Sequence, residues 1–198
     1  MKPDNIHPLK LTINTSIYDE PTEYDTPESQ IKLLLDNPQY AFDRHQALLR
    51  TLGTSKNFKY MTNGYIMQFD TQITLTYEEN MLLGMSGDPV VFHFPVSADR
   101  RGMLIIDRPT RGIRISVSDE RCMANPVMVD KQPLVYTTLT HKLENTLTSN
   151  GGHLSVDFET SLYGMMLGRM SIEIKAVPTD YIETSELPED TSLYLGRS

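Results

Sequence analysis

The side chains best suited to chemistry are six arginines crowded into residues 100–121: Arg100, Arg101, Arg108, Arg111, Arg114 and Arg121. Asp107, Asp119 and Glu120 offset half of them, so this stretch carries +3 in a chain whose formal charge is −8. Guanidinium groups brought together by a fold can hold an anionic head group through bidentate hydrogen bonds. Arg108, Arg111 and Arg114 are therefore the candidate ligand-binding residues, lining one mouth or the lumen of whatever encloses them. The opposing reading makes them outward residues that solvate adjacent hairpins and pair with nearby carboxylates, the usual fate of surface charge.

Other chemistry is sparsely provided. His93, His141 and His153 could share a metal only if their strands met, with Glu144 or Asp157 completing the set, and none has the i, i+4 spacing of a helical metal motif. Cys122, the single cysteine, has Arg121 beside it to favour the thiolate, but no signature places His and Asp around it. One cysteine forms neither an internal disulfide nor a zinc cluster. No Gly-x-Ser-x-Gly elbow and no Gly-x-x-x-x-Gly-Lys-Ser/Thr phosphate loop occurs. The reading assigns no catalytic residue, no metal and no cofactor, and it leans away from an enzyme.

Bulk properties narrow the partners. The net charge disfavours general attraction to nucleic acid or an anionic membrane surface. No apolar run approaches the roughly 20 residues that span a bilayer; the longest block, Met103-Leu104-Ile105-Ile106, suits a buried strand. Without an N-terminal apolar segment, a cytoplasmic location is expected. Eleven methionines suit an adaptable apolar lumen or, more simply, core filling.

The elements that must position these residues read from periodicity. Leu9–Ile17 alternates apolar Leu9, Leu11, Ile13 and Ile17 with polar neighbours, the mark of a half-buried strand. Thr26-Pro27 and Asn37-Pro38 are cap and first-turn pairs, and Ala41, Leu48, Leu49 and Leu52 recur at helical spacing before Gly53, so residues 27–52 read as two short helices or one kinked helix. From Phe58 the pattern changes to strands separated by turn signals. Tyr65–Tyr77 alternates throughout, Val90, Phe92, Phe94 and Val96 share a face, and Ile113, Ile115 and Val117 oppose Gly112, Arg114 and Ser116. Pro126 marks Cys122–Val129 as an edge or bulged strand. Leu134–Thr146 reads as one long strand with Leu139, His141 and Leu143 in register, and Gly151-Gly152 and Tyr163-Gly164 are tight hairpin turns.

Eight or nine strands joined by short turns, with no strand–helix–strand rhythm, exclude a parallel sheet. Closure removes exposed edges, so an antiparallel barrel is expected ahead of a flattened sandwich. The helical faces need apolar cover, which the end of the barrel can supply. The stretch 178–198 holds five acids against Arg197 and is expected to be a mobile acidic tail.

Several phrases fall in a familiar order: Gly64-Tyr65, Tyr77-Glu78-Glu79, Leu83-Gly84-Met85, Ile105-Ile106-Asp107-Arg108 before Arg111-Gly112, Gly151-Gly152-His153-Leu154-Ser155-Val156-Asp157-Phe158, and Ile172-Glu173-Ile174. In residues 9–18 and 58–177 the chain resembles the YwiB-like family, small bacterial proteins of unassigned function. The resemblance implies a calycin-like (lipocalin-like) up-and-down barrel. The insertion at about 20–56 and the acidic tail depart from the family pattern.

These readings place a single barrel domain in residues 1–177 and the tail in 178–198. The function expected is a noncatalytic binding module for a small amphipathic or anionic ligand. The alternative is an interaction or assembly component that uses the insertion and tail to meet a protein partner or a second copy.

Overall fold

The computed structural model describes residues 5–18, 35–37, 39–40, 42–43, 45–46, 56–79, 88–96, 102–111, 113–119, 122–129 and 131–180. Period-two alternation builds ten strands: β1 (Asn5–Ile17), β2 (Lys56–Gln68), β3 (Gln72–Glu78), β4 (Pro89–Pro95), β5 (Met103–Arg108), β6 (Ile113–Ser118), β7 (Cys122–Val129), β8 (Gln132–Asn145), β9 (Gly152–Leu162) and β10 (Met165–Pro178). All pairings are antiparallel, and the spatial order is β6-β5-β4-β3-β2-β1-β10-β9-β8-β7. The long strand β1 sits mid-sheet, where Ile13 faces Tyr60 on one side and Ile174 on the other. The sheet curls into a nearly closed barrel whose two ends are β6 and β7.

The interior is a packed core. Leu9, Leu11, Ile13, Leu75, Phe92, Leu154, Val156 and Ile174 are fully buried in one cluster. Each such side chain contributes roughly 1.5–3 kcal/mol by leaving water. Among the described residues no helix is long and apolar enough to cross a membrane.

The seam between β6 and β7 is closed without a backbone ladder among the described residues. Inward side chains of β7 and β8 bond to the free edge of β6 instead. Asn125 Oδ1 accepts from the Ser116 amide at 2.7 Å, and the Ser116 carbonyl accepts from Thr138 Oγ1 at 2.6 Å and from Asn125 Nδ2 at 3.3 Å. Tyr136 donates to the Arg114 carbonyl at 2.8 Å, and Thr140 Oγ1 accepts from the Ser118 amide at 3.3 Å. The edge of β6 thus laps onto the inner face of β7 and β8.

Turn chemistry fixes the hairpins. Tyr163 (φ 51°) and Gly164 (φ 79°) form the two-residue β9–β10 connection with positive φ at both positions, as a type I′ turn demands. At the β8–β9 connection Gly152 (φ 136°) has no room for a side chain, since a Cβ would meet the Thr146 carbonyl at 2.4 Å.

Two sequence expectations change, and two fall largely outside the described residues. The strands number ten rather than eight or nine, in part because Tyr65–Tyr77 is two strands. The Phe69 amide bonds the Gln72 carbonyl at 2.8 Å and folds the run at Asp70-Thr71, a turn with no Gly or Pro to announce it. Leu139 and Leu143 do not share a face, because a β-bulge between Thr140 and Lys142 shifts the register: Leu139 is exposed while Leu143 packs on the core. Most of the insertion at 20–56 lies outside the described residues. Those that are described, Leu35–Asp36, Gln39–Tyr40, Phe42–Asp43 and His45–Gln46, are helical. Tyr40 packs against Tyr136, Leu162 and Leu167, and His45 Nδ1 accepts from the Met166 amide at 3.1 Å. Beyond Asp180, the acidic tail also lies outside the described residues.

Candidate functional site

Strands β4 and β5 pair over only three positions, from Val91–Asp107 to His93–Ile105. Beyond His93, the ends Phe94–Pro95 and Met103–Leu104 part. A hollow of about 310 Å³ occupies the gap, lined by residues from both faces of the sheet. Phe94, Leu104 and Val117 come from the core, His93, Ile105 and Ser116 from the outer face, and Met123 from β7 across the seam. The size lies at the lower end of the range for small-ligand sites, and the mixture of apolar wall and few polar groups is characteristic of them.

The polar residues lining the hollow are Thr71, Gln72, His93 and Ser116, and a charged pair lies beside His93 just outside the lining. Asp107 and Arg114 are ladder partners on the outer face, and His93 stands beside Asp107, with Nε2 4.0 Å from Oδ2. His93 is 5% exposed and its Nδ1 has no hydrogen-bond partner. Burial, with help from the Arg114 charge, lowers its pKa to about 4, so the imidazole is neutral at pH 7. Burial also raises the Asp107 carboxyl, opposed by the Arg114 guanidinium and a bond from the Arg108 amide. Arg114 itself is exposed.

A second polar group lies inside the barrel, at the other ends of these strands. Arg108 and Glu79, both buried, form a two-point ion pair: Nη2 donates to Oε1 at 3.0 Å and Nη1 meets Oε2. Tyr60 and Tyr77 adjoin the pair. Burial pushes the Tyr60 phenol up to about 12 and Tyr77 well above its ordinary value, with Glu79 adding to both. The Tyr60 hydroxyl lies near Tyr77 but reaches no partner with good hydrogen-bond geometry. The Tyr77 ring stacks on Phe92 with centroids 5.9 Å apart.

The structure separates two of the three arginines singled out from the sequence, Arg108 and Arg114. Arg108 points into the barrel and is ion-paired, whereas Arg114 lies on the outer face. They do not converge on one mouth. Arg111 belongs to a single 3-10 turn, Pro109–Arg111, and its side chain lies outside the described residues, as do Arg100, Arg101 and Arg121. The split was readable in the sequence, because Arg108 is in phase with Leu104 and Ile106 while Arg114 is out of phase with Ile115 and Val117. Glu79 is likewise in phase with Leu75 and Tyr77, the signal that marks it as inward.

The remaining candidates disperse. His141 lies at the β8 bulge, 3.1 Å from Glu159, and His153 lies at the start of β9. Asp157 is held by Arg169 through two bonds of 2.9 and 2.8 Å, and Arg169 stacks over Tyr18 at 5.1 Å. No group of three metal-ligating side chains forms among the described residues. Cys122 is exposed opposite Leu139.

No protein-family model matches the chain, and no curated protein matches it. Among solved structures the chain is similar to the YwiB protein of Bacillus subtilis, at 14% identity over 86% of this chain and 92% of that one, with a TM-score of 0.47. Nothing about binding follows from that likeness.

Proposed function

We propose that the chain is a noncatalytic β-barrel binding module for a small amphipathic ligand with an anionic group, and that it belongs with the YwiB-like proteins. One observation carries the binding reading: the barrel wall parts between β4 and β5, and core side chains line the resulting hollow. The apolar body of the ligand rests on Phe94, Leu104, Val117 and Met123. Its polar end meets Thr71, Gln72, Ser116 and the unpartnered nitrogen of neutral His93, while Arg114, outside the lining but close enough to act on His93, supplies a neighbouring positive charge. Arg108 serves the barrel, because Glu79 already neutralises it.

Thermal unfolding with acyl and aryl carboxylates and nucleoside monophosphates tests this reading. A ligand at a hundred times its Kd stabilises by about 2.7 kcal/mol, a readily measured shift. Saturable stabilisation by at least one carboxylate, weakened about tenfold by Arg114→Gln, is the expected result. A panel without any saturable shift refutes it.

A second reading is assembly through the insertion. It is favoured by Leu35 and Phe42, which are 43% and 53% exposed on the helical residues while Tyr40 between them packs on the barrel. Phe42→Lys leaves sedimentation unchanged if the chain acts alone and lowers the mass if these residues join two copies.

A further inference from the structure

Among the described residues nine ladders join the ten strands, and side chains bridge the tenth junction. Its bonds have a regular order. The edge groups that β6 turns to the seam come from Arg114, Ser116 and Ser118, two residues apart. Tyr136, Thr138 and Thr140 meet them at the same spacing along β8, and Asn125 bonds both the amide and the carbonyl of Ser116. Matched spacing means that a small displacement of β6 lengthens every one of these bonds together.

The joint is also mechanically different from its neighbours. A ladder bond joins two backbones whose conformations are already fixed by the strand. A hydroxyl or amide bond adds the cost of holding a side-chain rotamer, so its net contribution is smaller. On its other side β6 is held to β5 by six register pairs, and the long strands β1 and β10 are laddered on both sides.

We infer that the barrel opens along this lap joint, with β6 lifting from the inner faces of β7 and β8 while the nine ladders stay intact. The opening widens access to the hollow in the barrel wall. The hollow already lies on that line, since Ser116 and Val117 border it from β6 and Met123 borders it from β7. The opening is a property of the free chain and does not require the ligand-binding reading to be correct.

Residue-resolved amide exchange over a series of low urea concentrations tests it. The expected result is that the Ser116 and Ser118 amides exchange at least tenfold faster than those of Ile13 and Ile174. Their rates rise together with urea below the global transition, as a cooperative opening that exposes surface requires. Thr138→Val, which keeps the shape and deletes the hydroxyl, speeds both seam amides about tenfold and leaves Ile174 unchanged. Seam amides that exchange only with global unfolding overturn the inference, as do rates that ignore urea and respond to the substitution one at a time. The wild-type series decides the matter even if the variant folds poorly.

Discussion

At the scale of single residues, two buried polar groups carry opposite consequences. His93 titrates near 4 in the folded chain against about 6.5 when unfolded, so between those values the unfolded chain binds more protons. The stability this group contributes is whole above pH 6.5, falls as the pH drops toward 4 and changes no further below that. Urea melts are expected to show a loss of up to about 3 kcal/mol across the window, and His93→Gln to flatten it. Arg108 and Glu79 behave as a unit. Glu79→Leu leaves a buried guanidinium uncompensated and is expected to cost about 3–5 kcal/mol, Arg108→Met strands the carboxylate at a similar cost, and the two together recover most of that loss. Denaturation of the four proteins of this cycle checks it. The inward direction of both side chains could be read from their phase with Leu104, Ile106, Leu75 and Tyr77. That they meet could not, because their contact spans 29 residues and depends on the register of three strands.

Secondary-structure elements were legible where the chain punctuates itself and illegible where it does not. Gly151-Gly152 and Tyr163-Gly164 announced their hairpins, and Pro126 marked β7 as a terminal strand of the sheet. Asp70-Thr71 announced nothing, and the β8 bulge left no trace in the hydrophobic pattern because Leu139 is an exposed leucine. These features differ in how they respond to substitution. Gly152→Ala drives a Cβ into the Thr146 carbonyl and is expected to destabilise several-fold more than Gly164→Ala, where a Cβ meets nothing within 4 Å and only the positive φ is strained. The bulge gives a sharper contrast. His141→Ala removes one half-exposed pair with Glu159 and costs less than about 1 kcal/mol. Deleting His141 removes the extra residue and closes β8 into an unbroken ladder in which Thr140 and Leu143 stay inward and Lys142 outward, so its cost is that of straightening and untwisting the strand at the bulge. Thermal melts of the two variants separate the side chain from the bulge.

At the scale of the whole molecule, alternation alone led to a closed antiparallel meander, since ten strands with short turns have few other ways to bury one face each. The means of closure was hidden. Threonines and an asparagine on the inner face of β7 and β8 read as ordinary polar strand residues until β6 is laid against them. The candidate site was hidden for the same reason: it forms where two neighbouring strands stop pairing, a feature with no residue type of its own. The packed interior argues against a deep axial pocket, and the proposed binding site is the hollow in the wall between β4 and β5. The most direct test is an amide-detected NMR titration of the full chain with sodium octanoate. Saturable shifts concentrated at His93, Phe94, Leu104, Ile105 and Ser116, and weakened in Arg114→Gln, are the expected result. Shifts confined to Tyr60, Glu79 and Arg108, or no saturable shift with octanoate, would contradict binding at this hollow.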